Sequence, residues 1–236
     1  MQIASLLLQV LATALPLARE EPDEYKEFWE TLPKVLETFM FQPPVGGSGH
    51  ARELVALVRA EVLRGSPRVP APHVRAVLAL VRAGSTHAHA TTNNEQELRE
   101  REEFARTCFE TLLQFSMLED IDSLAELESD TDPLAIVALL DRFQEVITRY
   151  TATDDSTEPL PRHQLSEISF VLKAIATLTE SMKKAPPGKV DPLAWQKLIG
   201  LYPELVQLAG SSRALGAGAA LRSALLQYGA LLTAPL

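Results

Sequence analysis

Apolar residues recur at intervals of three and four along almost the whole chain, and no convincing alternation of period two interrupts them. The pattern predicts helices near 2–18, 25–41, 50–64, 72–83, 95–118, 133–150, 161–184, 191–209 and 213–232. Between them lie QPPVGGSG, RGSPRVPAP, STHAHATTNN, TATDDSTEPLP and KAPPGKVDP, rich in the Pro, Gly and small polar residues of turns. Asp132-Pro133 and Asp191-Pro192 each set an N-cap acceptor before a proline, which misses no N–H at the first helical position. Asn94 with Glu97 has the spacing of a capping box. Pro33 and Pro203 fall inside periodic stretches and are expected to kink or divide those helices.

The segment PLPRHQLSEISFVLKAIATLTESMKK, residues 159–184, shows how these helices must pack. On a wheel of 3.6 residues per turn, Ser166, Ser169, Lys173, Thr177, Glu180 and Lys184 fall on one narrow polar strip. Leu165, Ile168, Val171, Leu172, Ile175, Leu178 and Met182 spread over more than half of the remaining surface. A surface helix shows an apolar stripe only about 100° wide, so this one needs neighbours on two or three sides. DPLAIVALLDRFQEVITRY repeats the pattern with Ile136, Leu140, Phe143, Ile147 and Tyr150, beside Val137, Leu139 and Val146. So does EEFARTCFETLLQFSML, with Phe104, Cys108, Leu112 and Phe115 flanked by Phe109 and Leu113.

Such helices suit a stack of antiparallel pairs, and the expected fold is all-α, a HEAT/armadillo-like α-solenoid. No sequence repeat of about 40–47 residues is visible, and a globular helical bundle is the competing fold. The expected organisation is 1–84 as N-terminal helical hairpins, 85–94 as a flexible loop and 95–236 as a C-terminal helical domain.

The start, MQIASLLLQVLATALPLAREE, imitates a signal peptide but has no Lys or Arg before its apolar run. It is also short for a membrane span, which takes about 20 apolar residues. It is read as the first helix, against a secretion signal or a membrane anchor. The single cysteine, Cys108, excludes an internal disulfide and fits a reducing compartment. A net charge of -9 argues against broad nucleic-acid binding and against simple electrostatic docking on anionic lipid.

Candidate chemistry is sparse. His87 and His89 alternate in a loop with no carboxylate or cysteine at ligand spacing, so no metal is expected. Cys108 sits on the apolar row of its helix, where a thiol is usually inert. GGSG and PPGK do not fit a phosphate loop, since Val190 follows Lys189 and no strand precedes either stretch. LREREEFAR alternates charge, as a solvated helix face does. No catalytic residue and no cofactor are expected. Lys183, Lys184 and Lys189 make a small basic patch at a helix end, which complements terminal carbonyls or meets an acidic partner. Trp29 and Trp195 pack in the core unless exposed, in which case they are interface anchors. These five residues are the candidate partner contacts.

From about residue 98 onward, REEFARTCFETLLQFS, DRFQEVITRY, PLPRHQLSEISFVLKAIATLTESMKK, VDPLAWQKLIGLYPELVQL and ALRSALLQYGALL occur in an order that resembles the extreme C-terminus of the Mon-two family. These are large proteins of Golgi and endosome traffic related to the big Arf guanine-nucleotide exchange factors. The resemblance implies HEAT-like repeats and a scaffold without known catalysis. It also implies work with Dopey-type proteins and Arf-like GTPases, and a cytoplasmic location peripheral to the trans-Golgi network and endosomes. The chain starts with Met1 without the family's long N-terminal regions, and reads as a fragment, a short isoform or a truncated gene model. GTPase contacts of those regions and exchange activity of a Sec-seven domain therefore do not carry over. The resulting expectation is a non-enzymatic protein-interaction scaffold recruited to membranes through partners. The alternatives are the regulatory C-terminal segment of a true Arf exchange factor and a secreted helical protein.

Overall fold

The computed structural model describes residues 2–41, 47–63, 69–85, 95–116, 131–151, 160, 162–185, 188, 190–211 and 216–233. Among them the only regular structure is helical. The helices are α1 (Gln2–Glu20), α2 (Lys26–Phe41), α3 (Gly47–Val58), α4 (Ala71–Ser85), α5 (Glu95–Ser116), α6 (Thr131–Thr151), α7 (Arg162–Lys184), α8 (Pro192–Gly200), α9 (Tyr202–Ala209) and α10 (Gly218–Leu232). A π-helical turn, Arg59–Leu63, follows α3 directly. The expectation of an all-α chain holds, and the expected spans lie close to these bounds.

The prolines separate two situations. Pro203 sits in the first turn of α9 and divides it from α8 at Leu201, as expected. Pro33 lies inside α2, which runs unbroken past it. Trp29, Leu32, Leu36 and Met40 are buried along one face on both sides of Pro33. Four buried side chains at roughly 1.5–3 kcal/mol each outweigh the roughly 3 kcal/mol penalty of an interior proline. Pro16 is likewise carried within α1. Asp191 caps α8, its carboxylate accepting from the Leu193 N–H at 2.6 Å. The expected cap at Asp132 differs: α6 already begins at Thr131. Asn94, with its capping box, lies outside the described residues, as do His87 and His89.

Two compact units divide the chain. The first takes α1 to α4 and α5 up to Phe115; the second takes α6 from Ile136 onward with α7 to α10. The boundary between the units follows α5, whereas the expected division set α5 with the C-terminal helices. The reason is visible in what α5 touches. The Phe104 ring meets Phe41 of α2 edge to face at 6.3 Å between centroids. Arg52 of α3 pairs with Glu103 at 2.6 Å, and Arg59 donates to Gln114 at 3.0 Å. A Cβ added at Gly84 of α4 would stand 2.5 Å from the Cys108 Sγ. Of the expected flexible loop at 85–94, residues 86–94 lie outside the described residues.

In the first unit α1 packs on α3 and the π-helical turn, and α2 packs on α4. Leu11, Leu15 and Ala18 of α1 are buried, with Leu54, Val55 and Val58 of α3. Arg19 closes the end of α1, donating to the Glu61 main-chain oxygen at 3.1 Å and to its carboxylate at 2.8 Å.

The second unit is built around α7. Ile168, Val171, Leu172, Ala174, Ile175, Ala176, Leu178, Thr179 and Met182 are all buried. Spaced at 100° per residue, they occupy about 200° of the circumference. Thr179 is tolerated there because its hydroxyl donates to the Ile175 carbonyl at 2.8 Å. The expected polar strip faces outward, with Ser166, Lys173, Thr177, Glu180 and Lys184 exposed and Ser169 half-buried. α10 lies along α7, and its small buried residues Ala220 and Ala224, with Ala217 at its N-cap, permit close approach. Tyr228 is buried on the same helix, and its hydroxyl donates to the Leu198 carbonyl of α8 at 2.6 Å.

Gly84→Ala is expected to lower stability by about 1–3 kcal/mol, because the new methyl group overlaps the Cys108 sulfur and helix propensity recovers only part of that. Adding Cys108→Ala removes the obstructing atom. In urea denaturation the double variant should therefore be more stable than the two single effects summed, whereas simple additivity would show that α4 and α5 do not meet there.

Candidate functional site

Of the five residues singled out in the sequence, Trp29 lies in the first unit and Lys183, Lys184 and Trp195 in the second. Trp29 is fully buried in the first unit. Its indole N–H donates to the Ala18 carbonyl at 3.1 Å, and its ring stacks on His73 at 5.6 Å and 21°. It locks α1, α2 and α4 together and offers nothing to a partner, so it leaves the set of contact candidates. Trp195, in the second unit, is half-buried on α8. Lys183 and Lys184 are exposed in the last turn of α7. The Lys184 ammonium lies 2.8 Å from Glu180, whose carboxyl it holds below the usual range by hydrogen bond and charge. Lys189 lies outside the described residues. Cys108 is buried, and burial pushes its thiol well above the ordinary range, so it stays protonated and inert.

Sequence reading missed a buried ionic cluster between α6 and α7. Arg142 is fully buried, with its Nη2 2.8 Å from Glu167 Oε1 and its Nη1 3.5 Å from Glu145. The Tyr150 hydroxyl donates to Glu167 Oε2 at 2.6 Å, and Arg149 reaches both Glu145 and Glu167. Burial lowers the Arg142 pKa while Glu167 and Glu145 oppose that effect. A guanidinium titrates so high that it remains charged. Burial chiefly, and the bond to Glu167, push the Tyr150 phenol above its usual range. A cation and a carboxylate held this way bind two helices in register. Nearby, Asp141 pairs with Lys197 of α8, and Gln144 and Thr148 both donate to Glu204 of α9. The polar side of α6 is thereby committed to its own neighbours.

What the second unit leaves open is apolar. Along α8 and α9, Ile199, Tyr202 and Val206 are 51%, 37% and 48% exposed. Tyr202 and Val206, one turn apart, share a strip of α9, and Ile199 is exposed in the last turn of α8, while Leu198, Leu201, Leu205 and Leu208 are buried. Leu193 and Leu226 are also exposed in this unit. Exposed apolar side chains one helical turn apart are of the kind that amphipathic helices use as anchors. Sequence periodicity held the signal, since α8 and α9 are apolar on two sides, but it could not say which side faces out. Among the described residues no group of His, Cys, Asp and Glu is placed to hold a metal ion. None of the described helices is long and apolar enough to cross a membrane.

Residues 1–235 match the family described as the C-terminal region of Mon2 protein. A Protein MON2 homolog of Drosophila melanogaster is 40% identical over 265 residues, covering 98% of this chain and 16% of that protein. The human Protein MON2 homolog is 36% identical, covering 86% of this chain and 13% of its own length. The Monensin-resistant homolog 2 of Caenorhabditis elegans is 26% identical over 87% of the chain. The chain thus spans a small fraction of the relatives it matches. No solved structure matches it.

Truncating Glu167 to Ala leaves the Arg142 charge buried beside a vacated site, and is expected to remove about 3 kcal/mol of stability in urea denaturation. Lys184→Ala, which breaks an exposed pair, should change stability by less than about 0.5 kcal/mol. Equal effects would show that the Arg142 cluster does not join α6 to α7.

Proposed function

The chain belongs to the Mon2 family, and from that premise we propose that it is a non-catalytic protein-interaction segment serving membrane traffic between endosomes and the trans-Golgi network. The observation that carries this reading is the exposure of Ile199, Tyr202 and Val206 on α8 and α9. Large apolar side chains held at helical spacing by a packed layer beneath them favour contact with another protein. The charge of -9 disfavours direct docking on anionic lipid, so recruitment through partners fits better.

On this proposal the protein is cytoplasmic and peripheral at the trans-Golgi network and endosomes. Its partners are Dopey-type trafficking proteins, while Arf-like GTPases would engage regions of the family outside this one. Trp195 and the lysines at the end of α7 contribute a secondary rim, and Trp29 does not take part.

The test tethers this chain to the mitochondrial outer membrane in cells and follows the endogenous Dopey-type protein by imaging. Relocation to mitochondria is expected, and Ile199→Asp with Val206→Asp should reduce it at least about tenfold without lowering the thermal midpoint. The reading fails if no trafficking protein moves, or if the double variant recruits as well as the parent.

A further inference from the structure

The first helix carries a second outward strip, in the first unit. Leu6, Val10 and Leu17 are 61%, 54% and 51% exposed, and Thr13 between them is exposed as well. Their spacing of four, three and four is that of a coiled-coil seam. The opposite side of the same helix, Leu11, Leu15 and Ala18, is buried in the unit. α1 is therefore apolar on two sides and covered on one.

Three properties of the strip select its occupant. Residues 2–18 contain no charged side chain, so nothing in the strip attracts lipid headgroups or an acidic or basic peptide. The first charge, Arg19, is held by Glu61. The seam spacing fits another helix, not an extended strand. Its extent, about 17 Å along the axis by 10 Å across, is far below the ~800 Å² per partner that a stable association between separate molecules needs. A tethered helix faces no such threshold, because the linkage itself supplies a high effective concentration. The matched region is the C-terminal one and accounts for 16% of the fly relative, so in the long relatives further chain runs directly into the residues that correspond to α1.

We propose that the face of α1 formed by Leu6, Val10, Thr13 and Leu17 is the seat for a helix of the same polypeptide, supplied in full-length Mon2-type proteins by the chain that precedes this region. The seam knits the C-terminal region onto the preceding one through apolar knobs, with no ion pair to fix it. This inference rests on family membership and on α1, and is independent of the strip on α8 and α9 and of any role in traffic.

A full-length chimera in which this chain replaces the matched segment of the Drosophila relative provides the test. Val10→Cys and, separately, Leu17→Cys are introduced into the chimera and into the 236-residue chain. Both are labelled with a maleimide carrying benzophenone, and labelling is read peptide by peptide, with buried Cys108 as the fold reference. The introduced thiols should label about tenfold more slowly in the chimera. Photolysis of the fraction that does label should join position 10 or 17 to the preceding segment of the same molecule. Equal labelling rates in the two proteins, or cross-links to an isotopically marked second copy or to lipid, would overturn the proposal.

Discussion

Everything else in this molecule follows from the burial of helices on more than one side. α7 keeps about 200° of its surface out of water, from Ala174 round to Ala176, and leaves only a strip of Ser, Thr, Lys and Glu for solvent. A helix so covered is fixed in place by several neighbours at once. Its hydrophobic residues supply the driving force, and α10 approaches closely because it presents alanines instead of large side chains. The ionic cluster around Arg142 adds register more than net stability, since a buried pair gives back in Coulomb attraction roughly what desolvation takes away.

That arrangement makes surface strips unavoidable. When a helix is apolar on two sides and its own unit covers only one, the other side faces outward. This occurs on α1 in the first unit and on α8 and α9 in the second. The uncharged seam on α1 stands at the start of the matched C-terminal region and is assigned to a tethered neighbour, whereas the strip bearing Tyr202 is assigned to a separate partner. Tyrosine contributes area at little loss of side-chain freedom, which favours contacts between molecules.

Helix spans were legible because burial imposes a period that the sequence must carry; Ile136, Leu140, Phe143, Ile147 and Tyr150 are all buried, as are Phe104, Cys108 and Leu112. Pro203 divides α8 from α9 and Pro33 is carried within α2, although the local rule is the same for both and buried side chains flank each. Trp29 and Trp195 could not be told apart from sequence, since each sits among apolar neighbours. The structure separates them by the Ala18 carbonyl and the His73 ring that meet the first. Arg142 was invisible because a charged residue beside Asp141 reads as surface until its partner on another helix, Glu167, is seen. Periodicity likewise cannot distinguish Leu6, Val10 and Leu17 from Leu11, Leu15 and Ala18, which differ only in which neighbour is present. The place of α5 in the first unit was equally hidden, because it depends on contacts far apart in the sequence, such as Phe41 with Phe104.

The most direct test of this account is native-state hydrogen exchange read along α7. If the helix is enclosed as described, the amides from Ile168 to Met182 should exchange only by global unfolding. They should share one opening free energy on every side of the helix, including beneath Lys173 and Thr177. Exchange by local fraying, with amides on one side opening at far lower free energy than those on the other, would contradict it, because a helix held over about 200° of its surface opens only as a whole.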